Sequence, residues 1–348
     1  MHEDHPSADG KGAYGCLMSI DGGDNWIDPD KQYLGHERYG VDFSDGDILY
    51  IRRPTSKVVD SYSSFPKPIN PNPIEGYYFY NHNELPEELQ GVYFEYWSKK
   101  DNQSHYFHAT IDDPGLLRHS IDGLMQVAWS GDIKEVNDGT IVSGIYPTFR
   151  QNRAGDVLST GVSFYTSKDR GRSWRFLSTI QYQEGENDNY ENWSFDNGGY
   201  YEPTFEILAN GDFLCVMRTG PVSPMHKCIS KDSGKTWSIP KPFTPNGVFP
   251  VLTRLGNNVC VLTSGRPGVQ LRFNIDGDGD VWTEPIDMVS FMKDDNTFDI
   301  YASCGYTGVL PIDKNTFYMV YSDFKTKNDN GQDRKGIIFR KIEIIKRL

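Results

Sequence analysis

The chain has 348 residues, 37% of them hydrophobic and 24% charged, so it is long enough to bury a sizeable core. A net charge of −13 argues against nucleic acid or an anionic membrane as a partner, since both attract a basic footprint, while leaving room for a small anion held by a few local arginines. No apolar run is long enough to span a bilayer.

The first residues, MHEDHPSADGKGAYG, have neither a basic nor an apolar segment of signal-peptide type. The expectation is therefore a cytoplasmic chain or one whose leader was removed. Ser19 to Trp26 then reads SIDGGDNW, and Tyr39 to Arg53 (YGVDFSDGDILYIRR) has two alternating runs around a Gly-containing turn, the pattern of a β-hairpin. A long proline-rich loop is expected from Lys57 to Tyr80. After the strand-like HYFHAT, Thr110 to Asp112 is read as a decayed relic of the SIDGGDNW turn. A second hairpin, IKEVNDGTIVSGIY, begins at Ile133, and SKDRGRSW follows at Ser167 to Trp174.

The same grammar recurs downstream. Tyr201 to Phe243 carries two alternating runs around ANGD, then HKCIS, then SKDSGKTW at Ser230 to Trp237, then a fourth strand-like segment. Further hairpins are VLTRLGNNVCVLTSG from Val251 and GYTGVLPIDKNTFYMVY from Gly305, with a looser turn, NIDGDGDVW, at Asn274 to Trp282. Three turns fit Ser-x-Asp-x-Gly-x-(Ser/Thr/Asn)-Trp. Asp and Ser bond to nearby backbone, Gly permits positive φ, and Trp fills the space between sheets, so the repeat is read as a clamp between strands. The expected fold is all-β: one β-propeller domain over residues 1–348, built of four-stranded antiparallel blades. The termini are expected to close one blade jointly, giving six blades, with seven as the alternative.

No metal or cofactor is expected. The Asp-rich copy at Ile275 to Asp280 lacks the bidentate Glu of an EF-hand loop. His105 and His108, three apart on a strand, face opposite ways and form no site with His119. The five cysteines (Cys16, Cys215, Cys228, Cys260 and Cys304) show no metal-ligand spacing. Cys215 and Cys260 lie in apolar runs and are read as buried thiols.

Strand direction separates the turns from a candidate site. If the first strand of a blade descends, the turns between strands three and four lie at the bottom, and the starts of first strands and ends of second strands lie at the top. Phe213, Ile48 and Phe317 begin second strands. Stepping back eleven residues (ten from Ile48) gives Glu202, Arg38 and Tyr306. Second strands end at Arg218, at Arg266, and at Arg52 with Arg53. The connection from Gln181 to Tyr201 also lies on top, where Tyr190 and Trp193 could rim a pocket and stack on a ligand face. Taken singly, each of these is an ordinary edge charge or packing aromatic. Jointly, they place cations, a carboxylate and a phenol at one end of the sheets.

The repeated turns resemble the Asp-boxes of the sialidase superfamily, whose members carry them on six-bladed propellers. YEPTFEILANGDFLCVMR resembles that family's Glu-to-Arg segment, and GYTGVLPIDKNTFYMVYS its tyrosine segment. The resemblance implies a retaining exo-glycosidase acting on a glycan with a terminal anionic sugar. It makes Tyr306 the nucleophile, Glu202 the group that takes its proton and Asp60 the acid/base. Arg38, Arg218 and Arg266 become carboxylate-binding groups, with Arg272 as an alternative to Arg266. The partner implied is an oligosaccharide or polysaccharide. Two other readings remain open on this scaffold: a lyase or other glycosidase acting on uronic-acid glycans, and a carbohydrate-binding propeller without catalysis.

Overall fold

The computed structural model describes residues 17–27, 40–52, 56–74, 76–127, 130–136, 138–182, 199–220, 223–293, 297, 299 and 302–345. The chain divides into two compact units, Met1–Gln181 and Tyr182–Leu348. Both consist of β-strands, and the described helical segments are single 3-10 turns.

The first unit contains β1 (Gly40–Asp42), β2 (Ile48–Ile51), β3 (Ser56–Val58), β4 (Tyr77–Asn81), β5 (Val92–Ser98) and β6 (Gln103–Asp112). These are followed by β7 (Leu117–Ile121), β8 (Leu124–Gln126), β9 (Ile133–Glu135), β10 (Ile141–Thr148), β11 (Gly161–Ser167) and β12 (Ser173–Ile180). Eight of them form a sheet in the order β1-β2-β5-β6-β12-β11-β10-β9. It is two four-stranded antiparallel halves joined by a short parallel pairing, in which Thr110, Ile111 and Asp112 oppose Ser173, Trp174 and Arg175. This corrects the reading of Thr110 to Asp112 as a relic turn: the three residues continue β6, and the Thr110 N–H donates to the Arg172 carbonyl at 3.1 Å. Leu49, Ile51, Phe94, Tyr165 and Trp174 anchor the core beneath this sheet.

A separate sheet in the order β3-β8-β7-β4 takes in only the two ends of the segment expected to be loop. It buries Val59, Tyr80, Leu85, Leu89, Met125 and Val127 in a small core of its own. Asn70 holds the proline-rich stretch to it, donating to the Tyr77 carbonyl at 2.9 Å and accepting from the Phe79 N–H at 2.8 Å.

The second unit contains β13 (Tyr201–Ile207), β14 (Phe213–Arg218), β15 (His226–Ser230), β16 (Lys241–Pro242), β17 (Val248–Arg254) and β18 (Cys260–Gly265). It continues with β19 (Val269–Asn274), β20 (Ile286–Val289), β21 (Thr307–Pro311), β22 (Thr316–Lys327) and β23 (Asp333–Glu343). Three antiparallel sheets result, β13 to β16, β17 to β20 and β21 to β23. β14 and β18 are covered on both faces, β18 along its whole length, which explains the near-continuous apolar runs in the sequence there. Leu214, Val216, Leu252 and Leu262 fill the layer between the first two sheets. Val261, Leu271, Phe317 and Met319 fill the layer between the second and third.

Side chains of β13 also clip β17. Glu202 Oε2, Thr204 Oγ1 and Glu206 Oε2 accept the backbone N–H groups of Phe249, Leu252 and Arg254 at 2.8, 3.1 and 3.1 Å. Alternate residues of a strand face one side, so every second side chain of β13 reaches its neighbour.

The repeated turns share one hydrogen-bond plan. Ser19, Ser167 and Ser230 accept the N–H groups of Gly23, Gly171 and Gly234 at 2.7, 2.9 and 2.8 Å. Asp21, Asp169 and Asp232 accept from the backbone of Asn25, Ser173 and Thr236. The Asn25 backbone N–H holds the Asp21 carboxyl down to about 2, and the Thr236 hydroxyl does the same for Asp232. In the longer copy Asn274 replaces Ser: its Oδ1 accepts the Gly279 N–H at 2.9 Å, and the Trp282 indole still donates to the Gly279 carbonyl at 3.0 Å. The extra length of the Asn side chain absorbs the extra residue.

Candidate functional site

In the second unit the pairing fixes which residues share an end. Tyr201 opposes Arg218 at one end of the β13–β14 hairpin, and Ile207 opposes Phe213 at the other. Ser230, which opens a Ser-Asp turn, opposes Phe213. Glu202 and Arg218 therefore lie at the end away from that turn, roughly 20 Å along the strand. The second sheet repeats the arrangement: Val248 opposes Gly265, while Arg254 and Asn274 share the turn end with Cys260.

At the turn-free end the backbone departs from regular β geometry in the same way twice. The register slips between Tyr201 and Thr204 in β13 and between Val248 and Val251 in β17. Glu202 and Phe249 sit in these bulges at φ of +46° and +50°, each followed by a proline, which has no N–H to lose from the ladder. Arg266, just past β18, adopts φ +44°. Left-handed conformations are uncommon for residues other than glycine and persist where the surroundings over-determine them, and such positions concentrate at functional sites.

Glu202 is buried and holds Arg218, with 3.2 Å between Oε1 and Nη1. Its Oε2 takes the Phe249 N–H. The Arg218 Nε donates to the Gly220 carbonyl at 3.0 Å, which fixes the plane of the guanidinium. The Phe249 ring meets the Tyr306 ring edge to face, with centroids 4.3 Å apart. Arg266 donates from Nη2 to the Cys304 carbonyl at 3.3 Å. Its approach needs two glycines: a Cβ on Gly265 would collide with the backbone of Gly305, and one on Gly305, at φ +84°, would lie 2.9 Å from Val248 Cγ2. Ser322 supports the same segment, accepting the Cys304 N–H at 2.8 Å.

Electrostatics tie the groups together. Burial pushes the half-buried Tyr306 phenol above its ordinary value, and the Glu202 carboxylate adds to that, while the guanidiniums of Arg266 and Arg218 pull the other way. The phenol is thus a neutral donor at neutral pH, beside one carboxylate and two fixed positive charges. Such a site can hold an anion and pass a proton from phenol to carboxylate.

Four of the residues picked out from sequence, Glu202, Arg218, Arg266 and Tyr306, therefore meet within one unit. Arg272 does not join them: it lies inside β19 opposite Leu262 and donates to the Gln270 side chain at 3.3 Å. Asp60 belongs to the first unit, exposed on the 3-10 turn Val59–Ser61. Arg52 is exposed and lies over the Tyr106 ring at 4.2 Å, the ordinary role for an edge charge. Arg38, Arg53, Tyr190 and Trp193 lie outside the described residues. His105 and His108 occupy one strand; His105 pairs with Asp101 at 3.4 Å and His108 packs on Tyr93. Among the described residues no cluster has the make-up of a metal site.

Sequence reasoning missed Phe249, although a signal for it existed. Cys260 begins the second strand of its hairpin, and eleven residues before it stands Phe249, the same offset that yields Glu202 and Tyr306.

Neither a protein-family model nor a curated protein matches the chain. Among solved structures, the chain is similar to a protein of unknown function from Dyadobacter fermentans, with a TM-score of 0.60 and 18% identity over 94% of this chain and 83% of that one. That likeness is one of fold. Weaker likenesses reach the Hadza microbial sialidase Hz136 (TM-score 0.49, 14% identity, 88% of this chain and 52% of that one) and the NanB sialidase of Streptococcus pneumoniae (0.46, 13%, 94% and 63%). The chain thus spans about half the length of Hz136.

Proposed function

We propose that the chain is a glycoside hydrolase of sialidase type, acting on a glycan with a terminal anionic sugar. One observation carries this reading: the Glu202–Arg218 pair is joined through Phe249 to Tyr306, and Arg266 bonds to the backbone of Cys304 two residues before Tyr306, all at the turn-free end of the sheets where Glu202, Phe249 and Arg266 have left-handed backbones. The guanidiniums suit the carboxylate of an anionic sugar, because a planar fork pairs with it through two parallel bonds. A neutral phenol can approach an anomeric carbon beside that carboxylate without the repulsion an anionic nucleophile would meet, and sialidases are known exceptions to the two-carboxylate scheme.

In the first step the Tyr306 oxygen bonds to the anomeric carbon as its proton passes to Glu202, and the bond to the leaving oxygen breaks as an acid protonates it. In the second, water attacks the anomeric carbon, its proton goes to the conjugate base of that acid, and the phenol oxygen leaves and regains its proton. The acid/base role of Asp60, the binding role of Arg38 and the stacking roles of Tyr190 and Trp193 rest on the sequence alone. So does closure of the sheets into a six-bladed propeller.

Incubation with a fluorogenic sialoside tests the reading. Turnover is expected, with Tyr306→Phe and Glu202→Gln lowering kcat by at least roughly 100-fold, and with thermal unfolding unmoved in Tyr306→Phe. New absorbance from unsaturated uronate would replace it with a lyase, and binding without turnover on either substrate would replace it with a carbohydrate-binding module.

A further inference from the structure

Glu202, Phe249 and Tyr306 each stand eleven residues before Phe213, Cys260 and Phe317, the residues that oppose the last residues of β13, β17 and β21 in three successive sheets of the second unit. The middle member of this series contacts both of the others. We propose that Phe249 is a positioning residue for the Glu202–Tyr306 pair, its backbone N–H fixing the carboxylate and its ring fixing the phenol. The proposal rests on the functional reading above.

The bulge makes this double contact available. Val248 pairs with Gly265 and Val251 with Thr263, so Phe249 falls in the gap and its N–H turns toward Glu202 Oε2 at 2.8 Å. With Arg218 on the other oxygen, the carboxylate is held at both ends. The same backbone conformation brings the Phe249 ring against Tyr306. A left-handed φ suits glycine and disfavours a bulky side chain, so the ring sits at this position against the local backbone preference. Ring and phenol meet edge to face, which limits the freedom of the phenol and shields it from water.

Two variants of the full chain, Phe249→Gly and Phe249→Leu, separate positioning from packing. The glycine variant keeps the N–H and relaxes the backbone, so its melting temperature is expected to equal or exceed that of the parent. Its kcat on the fluorogenic sialoside is expected to fall by about 10-fold or more, with a smaller change in KM, as for a misplaced reacting pair. The leucine variant, which restores bulk, is expected to recover most of that loss.

A readout without substrate accompanies the kinetics: tyrosinate absorbance titrated against pH, with the Tyr306→Phe trace subtracted. The Tyr306 signal is expected at lower pH in the glycine variant, because the phenol is no longer shielded, and near its parental position in the leucine variant. An unmoved Tyr306 titration in the glycine variant overturns the proposal, as does a fall in melting temperature with no titration shift. If the parent leaves the sialoside intact, the functional reading fails, and the titration alone still decides whether Phe249 positions Tyr306.

Discussion

Each unit contains an arginine, a carboxylate and a tyrosine in close association, and the two sets differ in what remains to be satisfied. In the first unit, Asp113 takes Arg150 through both nitrogens, at 2.6 and 3.3 Å, the Tyr165 hydroxyl at 2.7 Å and the Gly115 N–H at 3.1 Å. Its acceptor positions are filled, and Asp113 and Tyr165 are buried. Burial, reinforced by Asp113, keeps the Tyr165 phenol neutral well beyond physiological pH, and its proton is committed. In the second unit, one hydrogen bond reaches each oxygen of Glu202, the tyrosine is half-exposed, and the carboxylate stands on a left-handed backbone. A saturated network rigidifies. One with spare acceptor capacity, access and strain can do chemistry, although the residue types are the same.

The contrast can be broken in four ways. The largest effect is expected from Asp113→Ala, which leaves the partly buried Arg150 guanidinium without its carboxylate and should cost up to roughly 3–5 kcal/mol in urea unfolding, with kcat unchanged in the folded fraction. A turnover defect larger than the stability loss would join the two regions functionally.

Acid comes next. His82 is 2% exposed, and burial, followed by the nearby Arg118 guanidinium, holds it down to about 4 from 6.5. The unfolded chain therefore takes up this proton first as pH falls. The stability that neutral His82 contributes is complete above about 6.5 and is lost toward pH 4, on the order of 3 kcal/mol at most. Urea midpoints at pH 7, 5.5 and 4.5 should fall in that order, and less steeply in His82→Asn.

Gly265→Ala should cost roughly 1–3 kcal/mol through overpacking against Gly305. Because Arg266 follows directly, this variant should also raise KM for an anionic substrate, and an unchanged KM would detach Arg266 from binding. The smallest effect is expected from Tyr165→Phe, about 1 kcal/mol for one lost hydrogen bond, with kinetics unaltered. Tyr306→Phe in parallel should show the converse, an intact melting curve and lost turnover.

Much of the second unit was legible in the sequence, because hairpin turns of constant length make a fixed offset meaningful: Phe213 and Phe317 locate Glu202 and Tyr306. The same offset from Cys260 points to Phe249. A phenylalanine among many aromatics announces no chemistry, and its contribution through a main-chain N–H is independent of side-chain type. Less of the first unit was legible. β3 and β8 have three residues each, too short for alternation to show, and their sheet is assembled from segments up to 70 residues apart. Thr110 and Asp112 imitate a turn in spelling, but no Gly and Trp follow at the required spacing, and the segment pairs as a strand.

The substitution of Asn274 for serine has a consequence for how such proteins are counted. A search by spelling, with fixed gaps between letters, finds three copies and skips the one with an inserted residue. A search by shape, asking where an indole closes onto a glycine carbonyl three positions back, retrieves the skipped copy together with Trp26 and Trp174. Insertions at this point are absorbed by a single side chain, so the lineage of such turns can drift in length while the sheets they join keep their alignment.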